Sequence, residues 1–288
     1  MPANVVKAMY AFCKFRMNDL RTFSQNYNIR INSVGGAMEV YIKDALTGKF
    51  YGGESKRDKE YSKNFAWLGN QNNPPDAIAK GGDAFEIKKL QSPRNVIALN
   101  SSPPKDRLHS NDPRITGPCR ESDGGNWKEK DIFYAVGWTQ GQIAKSIYFV
   151  QGTCYAADRG VYDAVANRLS GSVKSAISES GLEAGDTTEL GRINRVDPLG
   201  ITALRVRGMW QIENPSVAFH NIAPLQPNLK FQAYAIMERG KLKKLLGEME
   251  KEELQSACPE IKEKDVLIAD PNNPANPKEA SILEVSWK

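Results

Sequence analysis

The sequence contains few of the residues that build histidine- or cysteine-based active sites. Its 288 residues include 2 histidines, His109 and His220, and 4 cysteines, at positions 13, 119, 154 and 258. Structural zinc sites combine Cys and His at short, regular spacings, and none of these six residues shows such a spacing. Neither histidine lies in a nucleophile-elbow context. We expect the cysteines to be reduced, structural thiols and the chemistry to depend on other groups.

Long apolar stretches are also missing. No run approaches the ~20 apolar residues that a membrane-spanning helix needs. The first residues, MPANVVKAMYAFCKF, lack the apolar core and the small-residue cleavage site of a secretory signal. The sequence therefore predicts a cytoplasmic protein with no transmembrane segment.

The overall composition is ordinary for a soluble globular protein, with 40% hydrophobic and 25% charged residues. The formal net charge is +5. This modest excess of positive charge permits nucleic-acid binding without requiring it, so the local clustering of basic residues must decide.

The most informative stretch is Asn73–Leu90, which reads NPPDAIAKGGDAFEIKKL. Two apolar runs, at 77–79 and 84–87, flank a Gly-Gly-Asp turn signal. This pattern is typical of a β-hairpin.

The hairpin places chemically useful side chains together. Alternation along a strand projects Glu86 and Lys88 on one face and Phe85 and Ile87 on the other, and the turn brings Asp76 near them. Two carboxylates can hold a hard divalent cation such as Mg²⁺, and a neighbouring lysine can orient water or neutralise a phosphate. These are the groups needed for phosphodiester hydrolysis, although similar acids and lysines also occur on solvated surface hairpins.

Two helices are predicted before the hairpin. Residues 4–23 carry apolar side chains three or four positions apart, which indicates an amphipathic helix. A second helix is predicted at Ala37–Ala45, entered from a Gly-Gly pair and carrying Glu39. Glu39 is either a solvated residue that complements the helix dipole or a third acid facing the metal.

The remaining pattern predicts an α/β fold. Strands are expected at Asn95–Leu99, Asp131–Thr139 and Lys145–Gly152. A helix at 158–179 has an apolar stripe at four-residue steps: Val161, Val165, Leu169, Val173 and Ile177. Helices that alternate with strands favour a central mixed β-sheet.

The chain after residue 225 has a different sequence pattern. A strand is predicted at Phe231–Met237, a charged helix at Lys241–Gln255, and short strands at Asp265–Ala269 and Ile282–Trp287. We therefore predict a core over 1–225 and a C-terminal extension or subdomain over 226–288.

Arginines crowd the segment 189–215, within which Ile201–Val206 has strand character. Arginine is the commonest specific reader of guanine, because its planar fork matches the O6 and N7 atoms, whereas Asn and Gln match adenine. The alternative is an exposed strand with surface ion pairs. The candidate DNA contacts, including two from the polar loop 100–128, are Arg192, Asn194, Arg195, Arg205, Arg207, Trp210, Gln211, Lys105 and Arg107.

Several of these motifs occur together in one known family. The motifs are NPPDA at 73–77, GDAFEIKK at 82–89, ALNSS at 98–102, ELGRINRVDPL at 189–199 and LRVRGMWQIENP at 204–215. On these residues the chain resembles the NgoPII-like type II restriction endonucleases of the PD-(D/E)xK nuclease superfamily. The likeness covers roughly the first three quarters of the chain.

The resemblance implies a three-layer α/β/α restriction-endonuclease core and dependence on Mg²⁺, for which Mn²⁺ is expected to substitute. It implies a homodimer that cleaves double-stranded DNA at a GC-rich palindrome, GGCC, beside a cognate DNA methyltransferase in the cell. Asp76 and Glu86 carry over as metal ligands and Lys88 as the catalytic lysine. Arg192 and Arg195 depart from the family's form, which leaves their part in base reading open.

Two other functions fit the same residues. One is a different nuclease of the superfamily, such as a repair nickase or a junction resolvase. The other is a non-catalytic, sequence-specific DNA-binding protein whose hairpin acids are only surface charge.

Overall fold

The computed structural model describes residues 2–24, 34–70, 73–247 and 258–288. No helix within these ranges is long and apolar enough to cross a membrane. The four cysteines are buried and unpaired, as expected from the sequence.

The helices within these ranges differ widely in length. They are α1 (Val5–Phe15), α2 (Arg21–Ser24), α3 (Val34–Leu46), α4 (Glu54–Asn64), α5 (Gly117–Glu121), α6 (Arg159–Glu179), α7 (Pro215–Ala218) and α8 (Arg239–Gly247). Residues 248–255 of the predicted charged helix lie outside the described residues.

Thirteen strands occur in the described ranges. They are β1 (Phe65–Asn70), β2 (Asn73–Ala79), β3 (Ala84–Leu90), β4 (Ile97–Asn100), β5 (Arg107–His109), β6 (Glu129–Gln140), β7 (Ile143–Gln151), β8 (Gly191–Ile193), β9 (Leu204–Val206), β10 (Trp210–Ile212), β11 (Phe231–Glu238), β12 (Lys262–Ala269) and β13 (Pro277–Trp287).

One large mixed sheet organises the fold. Its order is β1-β2-β3-β6-β7-β11-β13-β12, with β5 paired to β6. The β3–β6 and β7–β11 pairs are parallel, and the other pairs of this sheet are antiparallel. The α/β class with a central mixed sheet is therefore confirmed.

The helical layer on one face of the sheet comes from the start of the chain. Helices α1 and α3 pack on each other, with α1 also against β11 and β13 and α3 against β3. Phe149 on β7 and Ala233 on β11 belong to the same hydrophobic core as the buried residues of these two helices. On the opposite face, the hydroxyl of Tyr148 donates to the Ala223 carbonyl at 3.0 Å, so the segment after α7 covers the sheet.

The helix predicted over residues 4–23 is interrupted. The Asn4 side chain caps α1 by accepting the Lys7 N–H, and α1 ends at Phe15, before Arg16, whose φ of 48° is left-handed. A left-handed residue ends an α-helix because it turns the chain off the helical path. Helix α2 begins five residues later. Most apolar residues of this stretch are buried as their periodicity predicts, but the stretch forms two helices and not one.

The chain forms two compact units. The larger comprises Met1–Ile97, Asp106–Ala156 and Glu213–Lys288, and the smaller comprises Ala98–Lys105 and Ala157–Ile212. The grouping differs from the division predicted at residue 225. Strand β11 lies between β7 and β13 within the sheet, and seven of its eight residues are buried, so the C-terminal strands belong to the main core.

The smaller unit contains α6 and short strand pairs. Strands β8 and β9 pair antiparallel, with Arg192 opposite Arg205. The strand predicted to begin at Ile201 begins at Leu204 instead, because the Asp197 carboxylate accepts the Thr202 N–H at 2.6 Å and holds the preceding residues in a turn. Helix α6 is confirmed, yet three residues of its apolar stripe are about half exposed: Val161, Val165 and Leu169.

A fully buried ion pair links α3 to α4 in the larger unit. Arg57 donates from Nε to Asp44 Oδ1 at 2.8 Å and from Nη2 to Oδ2 at 3.0 Å, and both side chains are 0% exposed. The Tyr61 hydroxyl also donates to Asp44. Several hydrogen bonds therefore compensate for burying the two charges.

We expect Arg57→Met to lower the free energy of unfolding by about 3–5 kcal/mol, because it leaves the Asp44 carboxylate buried without its counter-charge. Urea denaturation followed by circular dichroism measures this. Lys56→Met on the exposed side of α4 is the control. A loss of stability that is equal in the two variants would contradict the assignment, and adding Asp44→Leu to Arg57→Met should recover part of the loss.

Candidate active site

The predicted hairpin is present and forms part of the main sheet. Strands β2 and β3 pair antiparallel at Ala77–Phe85 and Ile78–Ala84. Gly81 in the turn has a φ of +61°, a conformation that favours glycine. On its other side β3 pairs in parallel with β6 along its whole length. The residues of β3 therefore lie on a strand held from both sides.

The backbone pairing of the hairpin ends where its two acids meet. One residue beyond the Ala77–Phe85 pair stand Asp76 on β2 and Glu86 on β3. The Ile87 N–H donates to the Asp76 carboxylate at 2.5 Å. A side chain of β2 thus takes the place of a backbone acceptor and fixes the Asp76 carboxylate against β3.

Glu86 and Lys88 share the face that the alternation predicts. Lys88 Nζ lies 2.7 Å from Glu86 Oε1, with the side chains 26% and 15% exposed. The other carboxylate oxygen, Glu86 Oε2, is buried and has no hydrogen-bond partner among the described residues. An oxygen of this kind needs a donor or a cation, because a buried unsatisfied acceptor is costly.

The electrostatics of the three groups are strongly linked. Burial raises the pKa of Asp76 to about 7, and the negative charge of Glu86 also raises it. The charge of Lys88 and the hydrogen bond from the Ile87 N–H lower this pKa, but their effect is smaller. Burial alone would lower the pKa of Lys88, but the charges of Glu86 and Asp76 outweigh it and raise that pKa. Two carboxylates held this close favour a cation between them.

Glu39 lies on α3 near these groups. Its carboxylate is 40% exposed and pairs with Lys43 Nζ at 2.5 Å, four residues further along the helix. Its negative charge also raises the pKa of Asp76 and of Lys88, but this effect is smaller than the effects of burial and of Glu86. The fold therefore brings Glu39 near the candidate active site, but its carboxylate does not converge with those of Asp76 and Glu86.

The carboxylates of Asp76 and Glu86 are oxygen ligands that suit a hard cation, and they fill only part of its coordination shell. Within the described ranges, no three or more His, Cys, Asp or Glu residues converge as a metal site. Two carboxylates with one unsatisfied oxygen fit Mg²⁺, which keeps several waters and is commonly bound by one or two carboxylates together with substrate phosphate.

A set of buried ion pairs fixes the turn of the hairpin. Lys241 Nζ contacts Asp83 Oδ1 at 2.5 Å and Asp131 Oδ2 at 2.8 Å. The Gly81 N–H donates to the Asp123 carboxylate at 2.8 Å. Sequence reasoning missed these groups because Lys241 is separated from Asp83 by 158 residues and no local pattern connects them.

The arginines of segment 189–215 are engaged by acids of the smaller unit. Arg205 donates to both oxygens of Glu189, at 2.8 and 2.7 Å, and Arg207 Nε lies 2.7 Å from the same carboxylate. Arg195 Nε lies 3.6 Å from Glu183. The surface ion pairs that were the alternative interpretation are therefore present, and their arginines remain exposed.

The other polar candidates of this segment lie around the same strands. Arg192 is exposed and donates to Asn194 Oδ1 at 2.9 Å. The Trp210 ring meets Tyr162 edge-on, with centroids 5.5 Å apart. Gln211 follows it and is exposed.

Two predicted DNA contacts are placed differently from expectation. Lys105 is buried, 8% exposed, and its ammonium donates to Ser102 Oγ at 2.6 Å. Arg107 lies on β5, with Nη1 at 3.0 Å from Asp131 Oδ1. Lys105 is held by a hydrogen bond within the loop and Arg107 by an ion pair to β6, so both cations already have an acceptor within the protein.

Comparison with known proteins agrees with this arrangement. A family model described as NgoPII restriction endonuclease matches residues 3–270. The chain is also 36% identical over 281 residues to the protein named Type II restriction enzyme NgoPII from Neisseria gonorrhoeae, covering 97% of this chain and 98% of that protein. No solved structure matches the chain significantly.

Proposed function

Since this chain belongs to the NgoPII restriction endonuclease family, we propose that it is a Mg²⁺-dependent enzyme that cuts both DNA strands at GGCC. The observation that carries the proposal is the convergence of Asp76, Glu86 and Lys88 on β2 and β3, with Glu86 Oε2 buried and unsatisfied. The family resemblance of the arginine segment supports the target. The cell would then need a cognate DNA methyltransferase, and both would act in the cytoplasm.

Asp76 and Glu86 are the residues that would hold the metal ion. When bound, a divalent cation supplies Lewis-acid stabilisation of the charge that develops on the scissile phosphate. Lys88 gives one N–H to Glu86 Oε1, and the ammonium's remaining donors can hold a phosphate oxygen or orient the attacking water. The Ile87 N–H keeps the Asp76 carboxylate from turning away.

Digestion of sequenced plasmid DNA in Mg²⁺, followed by sequencing of the ends, tests the proposal. We expect discrete fragments whose ends fall at one uniform sequence, GGCC. Lys88→Met should slow cutting by about 10²–10⁴-fold, since it removes a group that acts on the reacting atoms. Glu86→Gln should abolish cutting, and both variants should retain sequence-specific binding.

Lys89→Met is the matched control, because Lys89 is the next residue of β3 and projects to the opposite face. Its cutting rate should stay near that of the unmodified enzyme. Ends without a common sequence would indicate a structure-specific nuclease. Specific DNA retention with no cutting in Mg²⁺ or Mn²⁺ would indicate a binding protein without catalytic activity.

Gly69 allows β1 to approach the backbone that carries Asp76. A Cβ at this position would lie 2.3 Å from the Pro75 carbonyl oxygen and 3.0 Å from Asp76 Cα. Real Cβ atoms do not approach backbone atoms so closely, so either β1 or Asp76 would have to move.

We expect Gly69→Ala to reduce the cutting rate by about 10–100-fold, because a displacement near 1 Å of a reacting group has an effect of that size. Gly240→Ala is the control, since a Cβ on Gly240 meets open space. Single-turnover cleavage of a GGCC duplex measures both. Normal cutting by Gly69→Ala would show that the approach of β1 does not position Asp76.

We propose that the enzyme is a homodimer, because a palindromic target is matched by a two-fold symmetric reader. The exposed apolar face of α6, formed by Val161, Val165 and Leu169, supports a second copy as its occupant. An antiparallel pair of α6 helices would cover this apolar face with the same face of the second copy.

We expect the double variant Val165→Lys, Leu169→Lys to elute as a monomer in size-exclusion chromatography with light scattering, whereas the unmodified chain elutes as a dimer. Burying two lysines in an apolar contact is strongly unfavourable. Asn167→Lys on the same helix is the control, since residue 167 projects about 200° from residue 165. A dimer that persists in the double variant would place the interface elsewhere.

A further inference from the structure

Glu189 occupies a central place among the arginines of the smaller unit. Its side chain is only 12% exposed, whereas those of Arg205 and Arg207 are 56% and 57% exposed. One carboxylate therefore accepts from two guanidinium groups whose outer surfaces face solvent. The sequence predicts these arginines as DNA contacts and gives Glu189 no role of its own.

The fold holds this carboxylate in position. Strand β8 follows Glu189, and β9 carries Arg205 and ends just before Arg207. The Glu189 N–H donates to Thr187 Oγ1 at 3.1 Å. The next residue is tied to α6, because Ser170 Oγ donates to the Leu190 carbonyl at 3.2 Å. The position of the acid is thus set by the backbone on both sides.

Packing against α6 adds to this restraint. A Cβ on Gly191 would lie 2.5 Å from Val173 Cγ1. Strand β8 therefore runs too close to α6 to admit any larger residue at this position. The backbone that carries Glu189 has little freedom to withdraw from the arginines.

The contact with Arg205 is chemically equivalent to a DNA contact. Its Nε and Nη2 each meet one carboxylate oxygen, at 2.8 and 2.7 Å. The same two-point fork binds guanine through O6 and N7, or phosphate through two oxygens. A nucleic acid that uses this edge of Arg205 must therefore displace Glu189.

The side-chain hydrogen bond from Arg205 is the largest cause that lowers the pKa of Glu189, and the charges of Arg205 and Arg207 act in the same direction. The carboxylate is consequently ionised when the protein meets DNA. It repels phosphate while it occupies the arginine forks.

We propose that Glu189 is a specificity-determining residue that competes with DNA for Arg205 and Arg207. On a random sequence the arginines gain only phosphate contacts, which replace one anion by another. On the target sequence, fixed guanine edges take the place of the Glu189 carboxylate on both arginines with matched geometry, and the exchange becomes favourable. The inference rests on the proposed function in one respect, that these arginines contact DNA.

The test is a fluorescence-anisotropy titration of two duplexes in EDTA, where no cutting occurs. One duplex carries the target found by end-sequencing, and the other has the same composition without it. For Glu189→Gln we expect non-target affinity to rise about tenfold and its salt dependence to steepen by about 1–2 in slope, corresponding to one or two added phosphate contacts. Target affinity should change less, so the ratio of the two affinities falls.

Asp186→Asn is the matched control. It removes the same charge from an exposed residue three positions earlier. An equal rise in non-target affinity in this control would show a general effect of charge and would overturn the proposal. The same conclusion follows if Glu189→Gln leaves non-target affinity and salt slope unchanged, or if it loses target binding alone.

A double-mutant cycle removes the dependence on one variant. In an Arg205→Ala, Arg207→Ala background, Glu189→Gln should leave non-target affinity within about twofold, because the groups that it competes for are gone. A full tenfold rise in that background would contradict the mechanism. Failure of the unmodified protein to bind either duplex would instead reject the proposed function itself, so the two failures are distinguishable.

Discussion

The hydrogen bond from the Ile87 N–H to the Asp76 carboxylate is the contact on which the candidate active site depends. It forms where the pairing of β2 and β3 stops, so it replaces a backbone contact by a side-chain contact without leaving the N–H unsatisfied. Because β3 is paired with β6 along its other edge, the strand cannot shift to relieve the crowding of the two acids. The stability of the whole sheet therefore holds Asp76 and Glu86 close together, although two free carboxylates in water would repel each other and separate.

Pairing of opposite charges recurs through the molecule. Arg57 with Asp44 joins the consecutive helices α3 and α4, and Lys241 with Asp83 and Asp131 joins segments distant in sequence. At the candidate active site the pairing is incomplete, since Glu86 Oε2 has no partner among the described residues. Buried polar groups are ordinarily satisfied. This oxygen belongs to the carboxylate that pairs with Lys88, and under the proposed function that carboxylate would hold the metal ion.

The arginines of the smaller unit show the same pairing at the surface. Exposed ion pairs contribute little to stability, so the contacts of Glu189 with Arg205 and Arg207 need a reason other than holding the fold together. Their exposure and two-point geometry suit a surface that exchanges one acceptor for another. Under the proposed function the same chemistry would serve two purposes: Asp76 and Glu86 would hold a cation, and Arg205 and Arg207 would exchange the Glu189 carboxylate for DNA.

The sequence by itself determined the hairpin, the shared face of Glu86 and Lys88, the nearness of Asp76 and the α/β class, because strand alternation and turn chemistry are local properties. The family motifs further identified the kind of enzyme. Only the tertiary structure decided that Lys105 is buried, that Arg107 pairs with Asp131 on β6, and that β11 to β13 complete the main sheet. It also decided that three of the five residues of the apolar stripe on α6 stay about half exposed and that Glu189 lies between two arginines. These outcomes depend on contacts between residues far apart in the chain, and periodicity carries no information about which distant partner a charged or apolar side chain will meet.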